Sequence, residues 1–150
     1  MKSIILDTNV LSELMRPKPE RAVTEWFAGL TGVSFYVTAI TEAEILLGIA
    51  LLPEGKRRTA LAEAAETMFR VDFAGRCLHF DALCAARYAA IVAGRRRAGF
   101  SITTEDAQIA SIALSNGYGL ATRNIRDFLH IDGLGLLNPW EGGADPSLKV

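Results

Sequence analysis

Four acids in this 150-residue chain stand where a carboxylate can do chemistry. Asp7 ends the apolar run "SIILD", Glu44 falls in "AITEAEILLG", Asp106 in "SITTEDAQIA" and Asp127 in "LATRNIRDF". A lone carboxylate is costly to bury, so an acid at the end of a buried strand needs a reason. Carboxylates that share one cleft repel each other. A hard divalent cation offsets that repulsion, and Mg²⁺ and Mn²⁺ take oxygen ligands. Two carboxylates plus a substrate phosphate make an ordinary Mg²⁺ site. Such an ion lowers the pKa of a bound water and stabilises charge developing on a phosphodiester. Asp7, Glu44 and Asp106 are the candidate ligands. Asn124 adds a donor and an acceptor, and Asp127 is a candidate fourth acid.

Each residue also has a plainer role. Asp7 can cap a helix starting near Val10 or hold a turn through its side chain. Thr41-x-x-Glu44 and Thr103-x-x-Asp106 both fit the capping box, in which the acid reaches back to the cap's backbone N–H. Asn124 can be an N-cap, and Asp127 can pair with Arg123 or Arg126. Taken singly, caps explain the acids. Taken together, the acids suggest one metal site, provided that their elements meet at one sheet edge.

The apolar periodicity supplies such elements. "SIILD" and "VSFYVTAI" read as buried strands, and "CLHF", "GYGLAT" and "GLGLLN" read the same way. Between them lie helical patterns. "ERAVTEWFAGL" places Val23, Trp26, Phe27 and Leu30 on one face. "EAEILLGIALL" is apolar almost all round, which predicts a buried helix. "RRTALAEAAETMF" is amphipathic. "DALCAARYAAIVAGRRRAG" ends in a basic turn before Gly99, and "EDAQIASIALSNG" should stop at Asn116-Gly117. Strands alternating with helices predict an α/β fold, with a parallel sheet covered on both faces. Ligands of such sheets bind beyond the carboxyl ends of the strands, where Asp7 and the helix carrying Glu44 begin.

Composition bounds the rest. A hydrophobic fraction of 50% argues against disorder, and a net charge of -1 neither favours nor excludes a polyanionic partner. Cys77 and Cys84 lack zinc-ligand spacing and read as buried free thiols, compatible with a reducing cytoplasm. No apolar run has the length of a signal peptide or a membrane span. One domain over residues 1–141 is expected, followed by a loose tail over 142–150.

The segments "LDTNVLSELMRP", "AITEAEILLGIALL", "TTEDAQIASIA" and "LATRNIRDF", in that order, together with Asn138–Trp140, resemble the PIN-domain nucleases. The resemblance is to the VapC/FitB-like toxins of bacterial toxin–antitoxin pairs and runs from about residue 3 to residue 141. It implies a three-layer α/β/α fold with a central parallel sheet, and RNA cleavage dependent on Mg²⁺ or Mn²⁺. It carries over Asp7, Glu44 and Asp106 as the acidic site, Thr8 and Asn9 as supports of the first strand end, and Thr122 as a neighbour of the metal shell. Some members have an acid where this chain has Asn124. Others have Asn there and an acid three residues on, as Asp127 is here. The fourth acid is therefore either absent or Asp127. Glu42 and Glu105, beside the matched acids, read as solvated or capping residues.

The implied function is a metal-dependent endoribonuclease toxin neutralised by a cognate antitoxin. The implied assembly is a homodimer whose antitoxin binds operator DNA. Apolar surface around "ALLPEG" and "ALAEAAETMF" can hold that partner or serve as core. Lys56–Arg58 and Arg95–Arg97 can contact RNA phosphates, and the second cluster also suits a helix C-terminus. A non-catalytic PIN-like module that binds RNA or protein is the competing class. A dehalogenase-like phosphatase would need a second Asp where Asn9 stands. A receiver-like domain would need an acidic pair at the first strand.

Overall fold

Three consecutive apolar residues, Ile4, Ile5 and Leu6, form the centre of the molecule, and none has any exposed surface. Side chains on a strand alternate between faces, so an unbroken apolar run belongs to a strand buried on both sides. Ile4 and Leu6 join the core on one face, with Val10, Leu11, Trp26, Val37 and Ile45. Ile5 joins the core on the other, with Cys84, Ile91, Ile109, Ile112 and Leu120. The computed structural model describes residues 2–142. The tail expected over 142–150 lies outside the described residues from 143 onward.

The strands are β1 (Lys2–Leu6), β2 (Val33–Thr38), β3 (Cys77–Leu78), β4 (Gly119–Ala121) and β5 (Leu136–Leu137). All pair in parallel, in the order β3-β2-β1-β4-β5. Ile4 is aligned with Phe35 on one side and with Gly119 on the other. The helices are α1 (Thr8–Leu14), α2 (Arg21–Gly29), α3 (Ala39–Ala50), α4 (Lys56–Thr67), α5 (Ala82–Arg97) and α6 (Thr104–Asn116). Residues of α1 to α4 pack on the Ile4 face, and residues of α5 and α6 on the Ile5 face. This is the three-layer α/β/α arrangement expected.

From β1 the chain builds outward to β2 and β3 on one side, then returns to place β4 and β5 on the other. The order reverses between β1 and β4. A crevice opens at such a reversal, beyond the carboxyl ends of the two strands. Asp7 follows β1 and Thr122 follows β4, so both stand at its mouth.

Several expectations need correction. The second strand stops at Thr38 rather than Ile40. Thr38 caps α3 by accepting a hydrogen bond from the Thr41 N–H at 3.1 Å, so the helix begins at Ala39. The third and fifth strands keep only two residues each. Helix α3 is not buried all round. Only Thr41, Ile45 and Ile49 face the core, whereas Leu47 is 59% and Leu51 76% exposed. The apolar side of α4 is narrow (Leu61 and Ala65, continued by Met68 and Phe69), and its end loosens into a π-helical turn over Met68–Asp72. Cys84 is buried, as expected, but Cys77 is only partly so. Helix α6 stops where expected, with Gly117 in the left-handed region at φ 68°.

Arg95 departs from the basic cluster proposed for RNA. It is 3% exposed. Its guanidinium donates to the carbonyls of Leu129 and Ser101, the latter at 2.6 Å, and lies 5.5 Å from the Phe100 ring centroid. It ties the end of α5 to two loops and is unavailable to a phosphate. Arg95→Ala would strand two carbonyl groups. It is expected to lower unfolding stability by about 3 kcal/mol in urea titration. Arg96→Ala and Arg97→Ala, both at exposed positions, should stay within about 0.5 kcal/mol of the parent.

Candidate active site

Asp7 is held by everything around it. It is 4% exposed. Its Oδ1 accepts from the Thr8 N–H at 2.8 Å, and its Oδ2 accepts from the Thr122 hydroxyl at 2.7 Å and the Asn9 amide at 3.2 Å. Asn9 is oriented in turn, because its Oδ1 accepts from the Arg123 N–H at 3.0 Å. The Thr122 hydroxyl also accepts from the Asn124 N–H at 3.1 Å. These bonds join β1 to β4 across the reversal. Asp7 is also the N-terminal cap of α1, so its plainer role and its place in the site coexist. Burial pushes its carboxyl above the ordinary value. The bonds from Thr122, Thr8 and Asn9 pull it back down, and the nearby charge of Asp127 raises it.

Glu44 meets α1 across the crevice. Thr8 Oγ1 donates to Glu44 Oε1 at 3.1 Å. Behind it stand Thr41, whose Oγ1 is 3.0 Å from that of Thr8, and Thr38, whose hydroxyl donates to Thr41 at 3.4 Å. Each hydroxyl has one proton. With Glu44 ionised, the protons must point from Thr38 through Thr41 and Thr8 to the carboxylate. Because α3 starts at Ala39, Glu44 lies too far along it to complete a capping box. Burial raises the Glu44 carboxyl, Thr8 lowers it, and the charges of Asp7 and Glu105 raise it further.

Asp106 keeps its capping role in part. Its N–H donates to the Thr103 hydroxyl at 3.1 Å in the first turn of α6. Its carboxyl is pushed up to about 6, first by burial and then by Asp7, with smaller contributions from Asp127 and Glu44. Asp127 is exposed on a 3₁₀ turn over Ile125–Phe128 and is near enough to raise both Asp7 and Asp106. Among the described residues it pairs with neither Arg123 nor Arg126. Asn124 precedes that turn without a side-chain cap and contributes through its backbone.

Asp7, Glu44 and Asp106 therefore each feel the charge of at least one other of these acids at one sheet edge. Among the described residues, no three metal-binding side chains converge tightly enough to hold an ion alone. That suits a hard divalent ion, which commonly takes one or two carboxylates and completes its shell with water and substrate phosphate. The donor set is all oxygen, and burial together with the charge of neighbouring acids raises Asp7, Glu44 and Asp106, so the residues fit Mg²⁺ or Mn²⁺.

The PIN domain's sequence pattern matches residues 4–134. The chain belongs to the PIN-domain family. Among its PIN relatives, the VapC ribonuclease Y4jK of Sinorhizobium fredii is 40% identical over 138 residues, 92% of this chain and 98% of that protein. The toxin FitB of Neisseria gonorrhoeae is 41% identical over 137 residues, 91% of this chain and 98% of FitB. A solved structure of FitAB bound to a DNA fragment superposes with a TM-score of 0.82 at 41% identity. It covers 91% of this chain and 95% of the matched one.

Sequence reasoning missed two parts of this PIN site. Thr38 and Thr41 are both fully buried and back up Thr8. The signal was there as Thr38-x-x-Thr41, a cap one turn earlier than the one read. Glu42 is neither solvated nor a cap. It pairs with Arg70 at 2.8 Å and accepts from the Cys77 thiol at 3.5 Å. Burial, with that Glu42 contact, pushes the thiol up to about 11, which leaves it protonated and unreactive. Glu105 remains exposed in the first turn of α6.

Proposed function

We propose that this PIN-domain chain is a metal-dependent endoribonuclease toxin kept inactive by a cognate antitoxin. The observation that carries the reading is Asp7, buried at the β1/β4 reversal and within charge range of Glu44, Asp106 and Asp127. The relatives named as a ribonuclease and as a toxin support it. Asp7, Glu44 and Asp106 would hold Mg²⁺ or Mn²⁺ together with water and the substrate phosphate, with Asp127 assisting from the rim. The ion would supply positive charge against the scissile phosphate and acidify water there. Asp7 is the rigid anchor, fixed by Thr8, Asn9 and Thr122. Glu44 takes the proton of a water that attacks the phosphorus in line, while the opposite P–O ester bond breaks and the departing ribose oxygen takes a proton from solvent. The Thr38–Thr41–Thr8 hydroxyls orient Glu44 for that step.

In this reading the nuclease domain runs over residues 1–141, with 142–150 as its tail. The antitoxin lies along an open groove of about 530 Å³ between α1, α3 and α4, lined by Met15, Ile45, Leu52 and Leu61 and reaching Thr8 and Glu44. The solved structure of FitAB bound to a DNA fragment supports an assembly with DNA, which here would be operator DNA bound through the antitoxin. Exposed leucines on and after α3 suit a homodimer contact. Among the described residues, no helix is long and apolar enough to cross a membrane. We take the protein to act on RNA in the cytoplasm.

The test is cleavage of a mixed RNA panel by purified, partner-free protein in Mg²⁺, Mn²⁺ or EDTA. Cleavage with either ion and none in EDTA is expected. Equal cleavage in EDTA would overturn the metal site. RNA binding without cleavage under every condition would leave a binding module instead.

A further inference from the structure

Arg123 is the residue next to Thr122, and its backbone is pinned to the site through Asn9. Its side chain turns to Trp140, with the guanidinium carbon 4.9 Å from the ring centroid. Trp140 sits on a short 3₁₀ turn after β5, packs against the core of the Ile4 face, and has its N-terminal cap in Asn138. The ring is therefore a fixed platform carrying a cation on one face. A guanidinium held this way keeps its planar N–H fork open and loses little freedom when it binds.

Arg123 has no obvious structural duty. It is exposed and, among the described residues, pairs with no acid. Its guanidinium faces the Trp140 ring rather than a carboxylate. A polyanion entering a cleft with four acids needs a cation near the reaction centre. Arg95 is buried and cannot serve. Arg57 of the Lys56–Arg58 run lines the groove that reaches Thr8 and Glu44, whereas Arg123 follows β4.

We propose that Arg123, braced on Trp140, binds a backbone phosphate of the RNA beside the scissile one and so sets the path of the strand past Asp7. This rests on the ribonuclease reading. The chemistry recognised is the phosphodiester backbone, in a bidentate guanidinium–phosphate contact. Arg123 is thus a substrate-positioning residue that takes no part in proton transfer.

The experiment measures the Kd of a fluorescein-labelled single-stranded RNA by anisotropy over a KCl series. It uses Asp106→Asn protein in Mg²⁺, so that no cleavage intervenes. Adding Arg123→Ala should weaken binding about tenfold at low salt and flatten the slope of log Kd on log[KCl] by about 0.7, the loss of one phosphate contact. Arg123→Lys should restore the slope and only part of the affinity. Trp140→Leu should weaken binding in the same direction, with little further effect once Arg123 is gone. Arg21→Ala, an equal charge change on α2, should leave the slope as it was. A purely structural Arg123 would lower the melting temperature and leave the salt slope unchanged, which overturns the proposal. Absence of RNA binding by the Asp106→Asn protein overturns it too. If Arg123→Ala loses binding but the wild type cleaves nothing in the panel, Arg123 stands and the nuclease reading falls. If the wild type cleaves and Arg123→Ala binds normally, the reverse holds.

Discussion

Asp7→Asn should reduce metal-dependent RNA cleavage by roughly 10³-fold or more, without lowering the melting temperature of the metal-free protein. The two halves have different causes. Loss of one anchoring carboxylate removes charge stabilisation worth about 4 kcal/mol in the transition state, and each 1.4 kcal/mol is about tenfold in rate. Stability moves the other way, because Asp7 is a buried acid whose pKa is raised first by desolvation. Taking its charge away removes that penalty. Asn also remains a good N-cap for α1. Single-turnover cleavage and thermal melts on the same preparations check both halves. Glu44→Gln and Asp106→Asn should follow Asp7→Asn in cleavage, whereas Asp127→Asn, on the exposed rim, should cost only about tenfold. A cleaving Asp7→Asn protein would remove Asp7 from the mechanism. A cleavage-dead protein that has also lost several degrees of melting temperature would point to a collapsed strand end instead.

Metal-free protein should become more stable as the pH falls from 7 toward about 4.5, against the usual trend of acid denaturation. Asp106 has an ordinary value of 3.8 and about 6 in the fold. Between those two pH values the folded state holds a proton that the unfolded state has released. Stability therefore falls as pH rises through that window, and the penalty is complete above about 6. Asp7 and Glu44 are raised as well and act in the same direction. Mg²⁺ should reverse the slope, because it favours the ionised carboxylates and binds only the folded site. Melting curves from pH 4.5 to 8, in EDTA and in Mg²⁺, make the test. Asp106→Asn should flatten the EDTA curve between about pH 4 and 6 relative to the parent. A parent and a variant with parallel EDTA curves would mean that Asp106 is solvated and uncoupled from its neighbours. A Mg²⁺ curve parallel to the EDTA curve would argue that the three acids do not share an ion.

Much of this was legible from residue order. Ile4, Ile5 and Leu6 read as a strand buried on both faces, and a carboxylate directly after such a strand was expected at the sheet's edge. The α/β alternation, the left-handed Gly117 stop of α6 and the capping threonine before Asp106 follow from local chemistry, which acts over a few residues. The segments carrying the PIN resemblance are equally local.

Other features depended on contacts between distant parts of the chain. Thr122 reaches Asp7 across 115 positions, and Arg123 reaches Asn9 across 114. Those pairings exist because β4 returns beside β1, and no periodicity encodes which strand becomes a neighbour. The "RRR" run reads as one basic patch, yet burial divides it: Arg95 points inward to the carbonyls of Leu129 and Ser101, while Arg96 and Arg97 stay in water. An all-round apolar α3 looks like a core helix in sequence, but the small domain has core for only one of its faces. Arg70 makes Glu42 a structural acid, while Thr8 and Asp7 place Glu44, two residues later, at the crevice. Side-chain chemistry set what each residue was able to do. The packing of the sheet and its two helical layers set which partner each one met, because a hydrogen bond or a charge acts over a few ångströms and sequence distance does not report them.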